Sequence, residues 1–138
     1  MDILISSNLE RLLYALSDGN DAEVRSYMKQ LNAEGRYQVS DTVLAKVRKL
    51  FWAGSCGEED TMDTIRRYYT QRNYLMDTHT AVAAHVLEQY RAESGDGGPA
   101  VIVSTASPYK FCSPVLRAIG AVPAGDGVEL IAQLQEAT

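Results

Sequence analysis

The segment Ser104–Phe111 offers the best candidates for chemistry in this sequence, because it directly follows the apolar, β-branched run at residues 100–103. In an open parallel sheet, ligands gather beyond the carboxyl ends of the strands. Thr105 supplies a hydroxyl that donates and accepts hydrogen bonds, and Lys110 supplies a positive charge for an anionic group. Spacing alone favours a plainer alternative, in which Thr105 and Ser107 cap a following helix and Lys110 is a solvated surface lysine.

A second candidate is His79, which lies in the first turn of a helix that Asp77 is predicted to cap. The helix dipole disfavours a charged imidazole at that position, and a neutral ring suits a hydrogen bond near a cofactor. The alternative is a structural histidine that bridges the sheet and its covering helix. The sequence is compatible with both roles.

Other familiar catalytic and metal-binding patterns are missing from the sequence. The glycine cluster at residues 95–98 precedes a strand instead of linking a strand to a helix, so it does not predict a phosphate-binding loop. Cys56 and Cys112 have neither the spacing of a zinc site nor that of a disulfide framework. We therefore predict no metal site and no catalytic residue within this chain.

The hydrophobic periodicity predicts helices separated by short strands. Helices are expected from Ser7 to Leu16, Asn20 to Gly35, Asp41 to Leu50, Glu58 to Tyr69, Asp77 to Tyr90, Pro114 to Ile119 (with a start near Pro108 as an alternative) and Val128 to Leu134, and strands at residues 37–39, 51–54 and 100–103. An unbroken apolar strand such as 100–103 is typical of a parallel sheet covered on both faces. The predicted fold class is α/β, with a mostly parallel sheet flanked by helices, and residues 1–138 are expected to form a single domain.

Composition limits the classes of partner. The 138 residues are 46% hydrophobic and carry a formal net charge of −5 with a pI near 5.0, which is typical of a soluble globular domain. The acidic balance argues against nucleic acid as a partner. The sequence has neither an apolar run of membrane-spanning length nor a secretory signal, so we expect no membrane partner and a cytoplasmic location.

Three segments, in this order, resemble the threonine synthases of the bacterial and fungal type. Residues 1–13 resemble the family's MDI-x-x-SSN-[FL]-ER segment, residues 77–83 its DPHTAV helix start, and residues 104–111 its TAHPAKF strand-end motif. Ser6, Ser7 and Asn8 match the first motif. The sequence departs from the second and third motifs at Thr78, Ser107 and Tyr109, and the resemblance covers most of the chain.

The resemblance implies a pyridoxal-phosphate enzyme of the tryptophan-synthase-like fold (fold type II). Such enzymes convert O-phospho-L-homoserine and water into L-threonine and phosphate. Carried over by motif, Thr105 is the cofactor-binding residue, whose hydroxyl meets the pyridine nitrogen. Lys110 and His79 match motif positions expected near the substrate, Lys110 at its phosphate.

The resemblance also implies that important elements lie outside this chain. The family's Schiff-base lysine and glycine-rich phosphate loop lie upstream of the matched region, and none of Lys29, Lys46, Lys49 and Lys110 has the matching context. We therefore expect an excised piece or gene fragment of the enzyme, inactive alone, whose partners are the upstream half and the small-molecule substrate. The alternatives are a free-standing α/β protein-interaction or regulatory domain derived from such an enzyme, and an intact small enzyme of unknown chemistry.

Overall fold

The computed structural model describes residues 6–138, and helices form all the regular secondary structure in that range. The seven α-helices are α1 (Ser7–Leu16), α2 (Asp21–Glu34), α3 (Asp41–Leu50), α4 (Glu58–Arg72), α5 (Thr78–Ser94), α6 (Cys112–Ala118) and α7 (Gly127–Ala137), and a 3-10 helix spans Pro108–Phe111.

The predicted parallel sheet is wrong, because residues 6–138 contain no β-strand. The segments 37–39, 51–54 and 100–103 are not strands. At residues 101–103 only Ile102 packs against a core, while Val101 and Val103 are 90% and 72% exposed. A helix satisfies its backbone groups internally, but a strand forms only beside a second strand. The β-branched run indicated strand propensity, and the described chain supplies no partner for it.

The chain divides into two compact units, the first of which is Met1–Trp52. Its described part consists of α1, α2 and α3. The core contains one buried residue from α1, two from α2 and one from α3, namely Leu13, Val24, Tyr27 and Val43. The segment between α2 and α3 covers this core, and the ring of Tyr37 there stacks on Tyr27 with centroids 5.6 Å apart.

The second unit, Ala53–Thr138, contains the remaining helices. Its core joins α4, α5, α6 and α7 through Ile65, Met76, Ala81, Ala84, Cys112, Val115, Leu116, Ala118 and Leu134. An ion pair between Arg67 and Glu88 (2.8 Å) also links α4 to α5. The small residues Ala81 and Ala84 lie on the buried face of α5, where they allow the neighbouring helices to approach closely.

Local capping signals locate most helix ends correctly. Asn20 caps α2, and Gly35 ends it with a left-handed φ of 70°. The predicted span Asp41–Leu50 is confirmed, and so are the acidic first turn of α4 and the Asp77 cap of α5. The cap of α1 is Ser6 rather than Ser7, since the Ser6 side chain accepts a hydrogen bond from the backbone of Leu9. The first five residues of the resemblance lie outside the described residues.

Candidate active-site segment

Asp77 is the polar centre of the second unit. Its side chain is 0% exposed, and it caps α5. The atom Oδ1 accepts hydrogen bonds from the backbone N of His79 (2.8 Å), from the His79 ring atom Nδ1 (3.0 Å) and from the backbone N of Thr80 (3.4 Å). The atom Oδ2 accepts a hydrogen bond from the hydroxyl of Thr80. Four donors therefore surround one buried carboxylate.

These donors determine the protonation state of Asp77. Burial by itself raises the pKa of this carboxyl, because it disfavours the charged form. The hydrogen bonds from the Thr80 hydroxyl, from the backbone and ring of His79 and from the Thr80 backbone outweigh burial and lower the pKa below the ordinary value for aspartate. Asp77 is therefore an ionised carboxylate near neutral pH, and an ionised carboxylate only accepts hydrogen bonds.

The hydroxyl of Thr80 connects this carboxylate to the candidate segment. Its Oγ1 lies 3.0 Å from Oγ of Ser104, a contact between residues 24 positions apart. Thr80 is 4% exposed, whereas Ser104 and Thr105 are exposed. The buried start of α5 thus holds the residue that immediately precedes Thr105, and Thr105 itself lies at the surface.

His79 and Lys110 are brought to the same aromatic ring. The His79 ring packs against Phe111 with centroids 4.7 Å apart and an interplanar angle of 54°. The ammonium of Lys110 lies 5.8 Å from the centroid of Phe111, within the range of a cation–π interaction. Because Asp77 accepts from Nδ1 of His79, that ring nitrogen carries a proton in this contact. Lys110 is exposed, and the His79 side chain is 24% exposed.

The structure shows which of the two candidate capping residues, Thr105 and Ser107, caps a helix. Ser107 is the N-cap of the 3-10 helix, and its Oγ accepts a hydrogen bond from the backbone N of Tyr109 at 3.3 Å. The capping interpretation thus holds for Ser107, while Thr105 lies two residues before that cap. The proposed sheet-bridging role of His79 fails, because residues 6–138 contain no sheet and its ring packs on Phe111 instead.

Sequence reasoning identified Asp77 only as a helix cap. It gave no role to Thr80, Ser104 or Phe111 individually and did not predict the contacts by which they join the two candidate segments. One signal was present, because the three-residue spacing from Asp77 to Thr80 places a hydroxyl within reach of the capping carboxylate. The contacts of Ser104 and Phe111 with α5 depend on tertiary packing.

The described part of the chain contains neither a cluster of metal-binding side chains nor a membrane-spanning helix. No group of three or more histidine, cysteine, aspartate or glutamate side chains in residues 6–138 could hold a metal ion. Over the same residues, no helix combines the length and apolar character needed to cross a bilayer. Cys56 and Cys112 are both free thiols.

Comparison with known proteins gives consistent matches. The family model described as "Threonine synthase, C-terminal" matches residues 80–137. The threonine synthase of Pseudomonas aeruginosa is 36% identical over 125 residues, which cover 90% of this chain and 26% of that protein. The threonine synthase of Saccharomyces cerevisiae is 34% identical over 133 residues, which cover 86% of this chain and 26% of that protein.

A solved structure agrees with these matches. The pyridoxal-phosphate-bound threonine synthase of Brucella melitensis superimposes with a TM-score of 0.76 at 34% identity, covering 96% of this chain and 28% of that one. This chain therefore spans about a quarter of the length of the relatives it matches.

Proposed function

Because this chain belongs to the threonine synthase family and corresponds to the C-terminal part of its members, we propose that it completes the active site of such an enzyme. The proposed reaction converts O-phospho-L-homoserine and water into L-threonine and phosphate with pyridoxal phosphate as cofactor. The observation that carries the proposal is the anchoring of Ser104 on α5, which leaves the neighbouring Thr105 exposed.

The residues present fit one edge of the cofactor. Ser104 and Thr105 offer neutral hydroxyls, which suit an unprotonated pyridine nitrogen. When bound, pyridoxal phosphate supplies an electron sink for the reaction. Thr105 would donate its hydroxyl proton in a hydrogen bond to the ring nitrogen, and a neutral donor leaves that nitrogen without a full proton. The groups that hold the cofactor's phosphate and aldehyde would come from the rest of the enzyme.

Lys110 and His79 are proposed to lie at the substrate. Lys110 is an exposed cation, and a phosphate monoester is an anion that such a cation attracts. His79 is held by Asp77 through Nδ1 and packs on Phe111, the residue that follows Lys110. The arrangement keeps His79 and Lys110 beside one aromatic ring, so both would approach the same end of the substrate.

Exposed apolar side chains support the proposal that the chain packs against more protein. Val101, Val103, Val122 and Val128 are between 72% and 90% exposed. Exposing this much aliphatic surface in one unit is unfavourable in water, since burial of a valine side chain contributes about 1.5 kcal/mol or more. The proposed partner is the upstream part of the enzyme, and the proposed location is the cytoplasm, where both free cysteines would stay reduced.

The test joins this chain to the upstream part of the Pseudomonas aeruginosa threonine synthase and measures threonine formation from O-phospho-L-homoserine. Thr105→Val should lower kcat roughly a hundredfold, because it removes the hydroxyl at the pyridine nitrogen without changing side-chain volume much. Thr105→Ser should retain most of the activity. The matched control is Thr70→Val, at an exposed threonine of α4 whose hydroxyl only bonds the backbone of its own helix.

Two results would contradict the proposal. One is a joined protein that binds pyridoxal phosphate and turns over equally well with valine or threonine at position 105. The other is a correctly folded joined protein that neither binds the cofactor nor forms threonine.

A further inference from the structure

We propose that Asp77 and Thr80 are positioning residues, which fix the Ser104 hydroxyl and thereby align Thr105 for the proposed cofactor contact. The local part of this inference stands on the geometry of the chain itself. Its consequence for catalysis rests on the proposed function.

The first step of the argument is a proton count at Thr80. A threonine hydroxyl has one proton, and two acceptors lie within hydrogen-bond distance, namely Oδ2 of Asp77 and Oγ of Ser104. The buried carboxylate is charged and is the stronger acceptor, so it takes the Thr80 proton. The remaining contact, at 3.0 Å, is then made by the Ser104 hydroxyl donating to Oγ1 of Thr80.

The second step concerns rigidity. Asp77 is held by four hydrogen bonds at the start of α5, and Thr80 is 4% exposed on the same helix turn. Both side chains are therefore restrained by their contacts. Ser104 is exposed and lies in a segment without regular secondary structure, so its hydrogen bond to Thr80 fixes a backbone that is otherwise held by few contacts.

The third step carries this order to Thr105. The peptide unit between Ser104 and Thr105 is planar, so fixing Ser104 restricts where the Thr105 backbone begins. On the far side, Phe111 packs on His79 and Ser107 caps the 3-10 helix. Asp77 therefore acts at both ends of the segment, through Thr80 at Ser104 and through His79 at Phe111.

Because Thr80 links the two residues, ionisation of Asp77 should change the NMR signals of Ser104. Protonated Asp77 is a weaker hydrogen-bond acceptor than the carboxylate. The Thr80 hydroxyl can then turn its proton toward Ser104, and the Thr80–Ser104 hydrogen bond can reverse its direction. The amide signals of Ser104 and Thr105 should then change with the same midpoint as the carboxyl carbon of Asp77. The ring of His79 also contacts Asp77, so the ring carbon signals of His79 are recorded beside the carboxyl carbon signal of Asp77.

The experiment is a pH titration of this chain followed by NMR, with Thr80→Val and Thr80→Ser variants. In Thr80→Val the amides of Ser104 and Thr105 should lose the Asp77 midpoint, and in Thr80→Ser they should regain it. Thr64→Val is the matched control, because Thr64 is a fully buried helical threonine of the same unit whose hydroxyl receives only a 3.4 Å bond from Arg67. Ser104→Ala breaks the same link from an exposed position, where misfolding is not expected.

The same variants in the joined enzyme test the catalytic consequence. Thr80→Val should lower kcat roughly ten- to a hundredfold through misalignment, change KM little, and shift the absorbance of the bound cofactor, and Thr80→Ser should restore all three. The inference is overturned if Ser104 and Thr105 still follow Asp77 in Thr80→Val, or if serine at position 80 behaves like valine. Failure of the wild-type joined enzyme to bind cofactor would count against the proposed function alone, since the NMR titration decides the positioning role independently.

Discussion

Each unit of the chain contains a carboxylate–hydroxyl–serine network, and the two networks end differently. In the first unit, Glu23 accepts hydrogen bonds from the hydroxyls of Tyr27 and Ser40 (2.7 Å to Ser40), and the Tyr27 hydroxyl accepts one from the backbone N of Ser40 at 2.9 Å. Ser40 is the N-cap of α3, so this network ends in a helix.

In the second unit, the carboxylate is buried and the network ends at an exposed loop. Asp77 is 0% exposed, and the serine it reaches through Thr80 is Ser104, beside Thr105. The same three types of group therefore secure a helix in one unit and hold a candidate ligand-binding segment in the other. What differs is the burial of the carboxylate and the structure that follows the serine.

The largest expected contrast comes from removing the two carboxylates. Asp77→Ala should lower the free energy of unfolding of the second unit by about 3 kcal/mol, because it removes the cap of α5 and leaves the buried Thr80 hydroxyl without its charged acceptor. Glu23→Ala should cost the first unit much less, since water can reach its partner Ser40, which is exposed. Urea unfolding with residue-resolved NMR reads the two units separately.

Asp77→Asn is the control for this contrast. Asparagine is a good helix cap, so this variant should recover part of the loss. Equal destabilisation by Asp77→Ala and Glu23→Ala would show that burial does not distinguish the two networks.

The pH dependence of stability should also distinguish the two networks. Hydrogen bonds from Tyr27 and Ser40 lower the pKa of Glu23, and for Asp77 the donors from Thr80 and His79 lower the pKa against the opposing effect of burial. A lowered folded-state pKa contributes stability that is fully present above the unfolded pKa, near 3.8 for aspartate, and is lost as the pH falls through the folded value.

The measurement is the free energy of unfolding of each unit between pH 2 and 6, in wild type, Asp77→Asn and Glu23→Gln. Asp77→Asn should flatten the pH dependence of the second unit and leave that of the first unchanged, and Glu23→Gln should do the reverse to a smaller extent. If the stability of the second unit still falls with pH in Asp77→Asn, another carboxylate is responsible for that pH dependence.

The smallest expected effects separate the two serines. Ser40→Ala should destabilise the first unit by about 1 kcal/mol, because it removes the side chain that caps α3. Ser104→Ala should change the stability of the second unit by less than about 0.5 kcal/mol, since Ser104 is exposed and caps no helix. Thermal unfolding of the paired variants checks this, and equal losses would mean that Ser104 has a structural role like that of Ser40.

Much of the local structure could be predicted from the sequence. The Asn20 and Asp77 caps, the Gly35 ending and the span of α3 follow from groups only a few residues apart. The cap of α1 was misplaced by one residue because Ser6 and Ser7 are equally suited to the role by type. Position in the sequence and motif together indicate the candidate residues His79, Thr105 and Lys110, and the structure places His79 and Lys110 against Phe111.

The sheet could not be judged in the same way. A helix is stabilised by contacts between residues three and four apart, so its signals are present in the sequence itself. A strand at 100–103 needs a neighbouring strand, and the run Ala100–Val103 looks the same in sequence whether or not that neighbour exists.

The sequence by itself determined the helices, the Asp77 cap and the family to which the chain belongs, because these depend on local spacing and on short motifs. The tertiary structure alone decided that Thr80 meets Ser104 across 24 positions and that the ring of Phe111 packs against His79. The physical reason is that these contacts arise when the core of α4, α5, α6 and α7 closes, and that packing brings together residues whose sequence separation carries no signal of their contact.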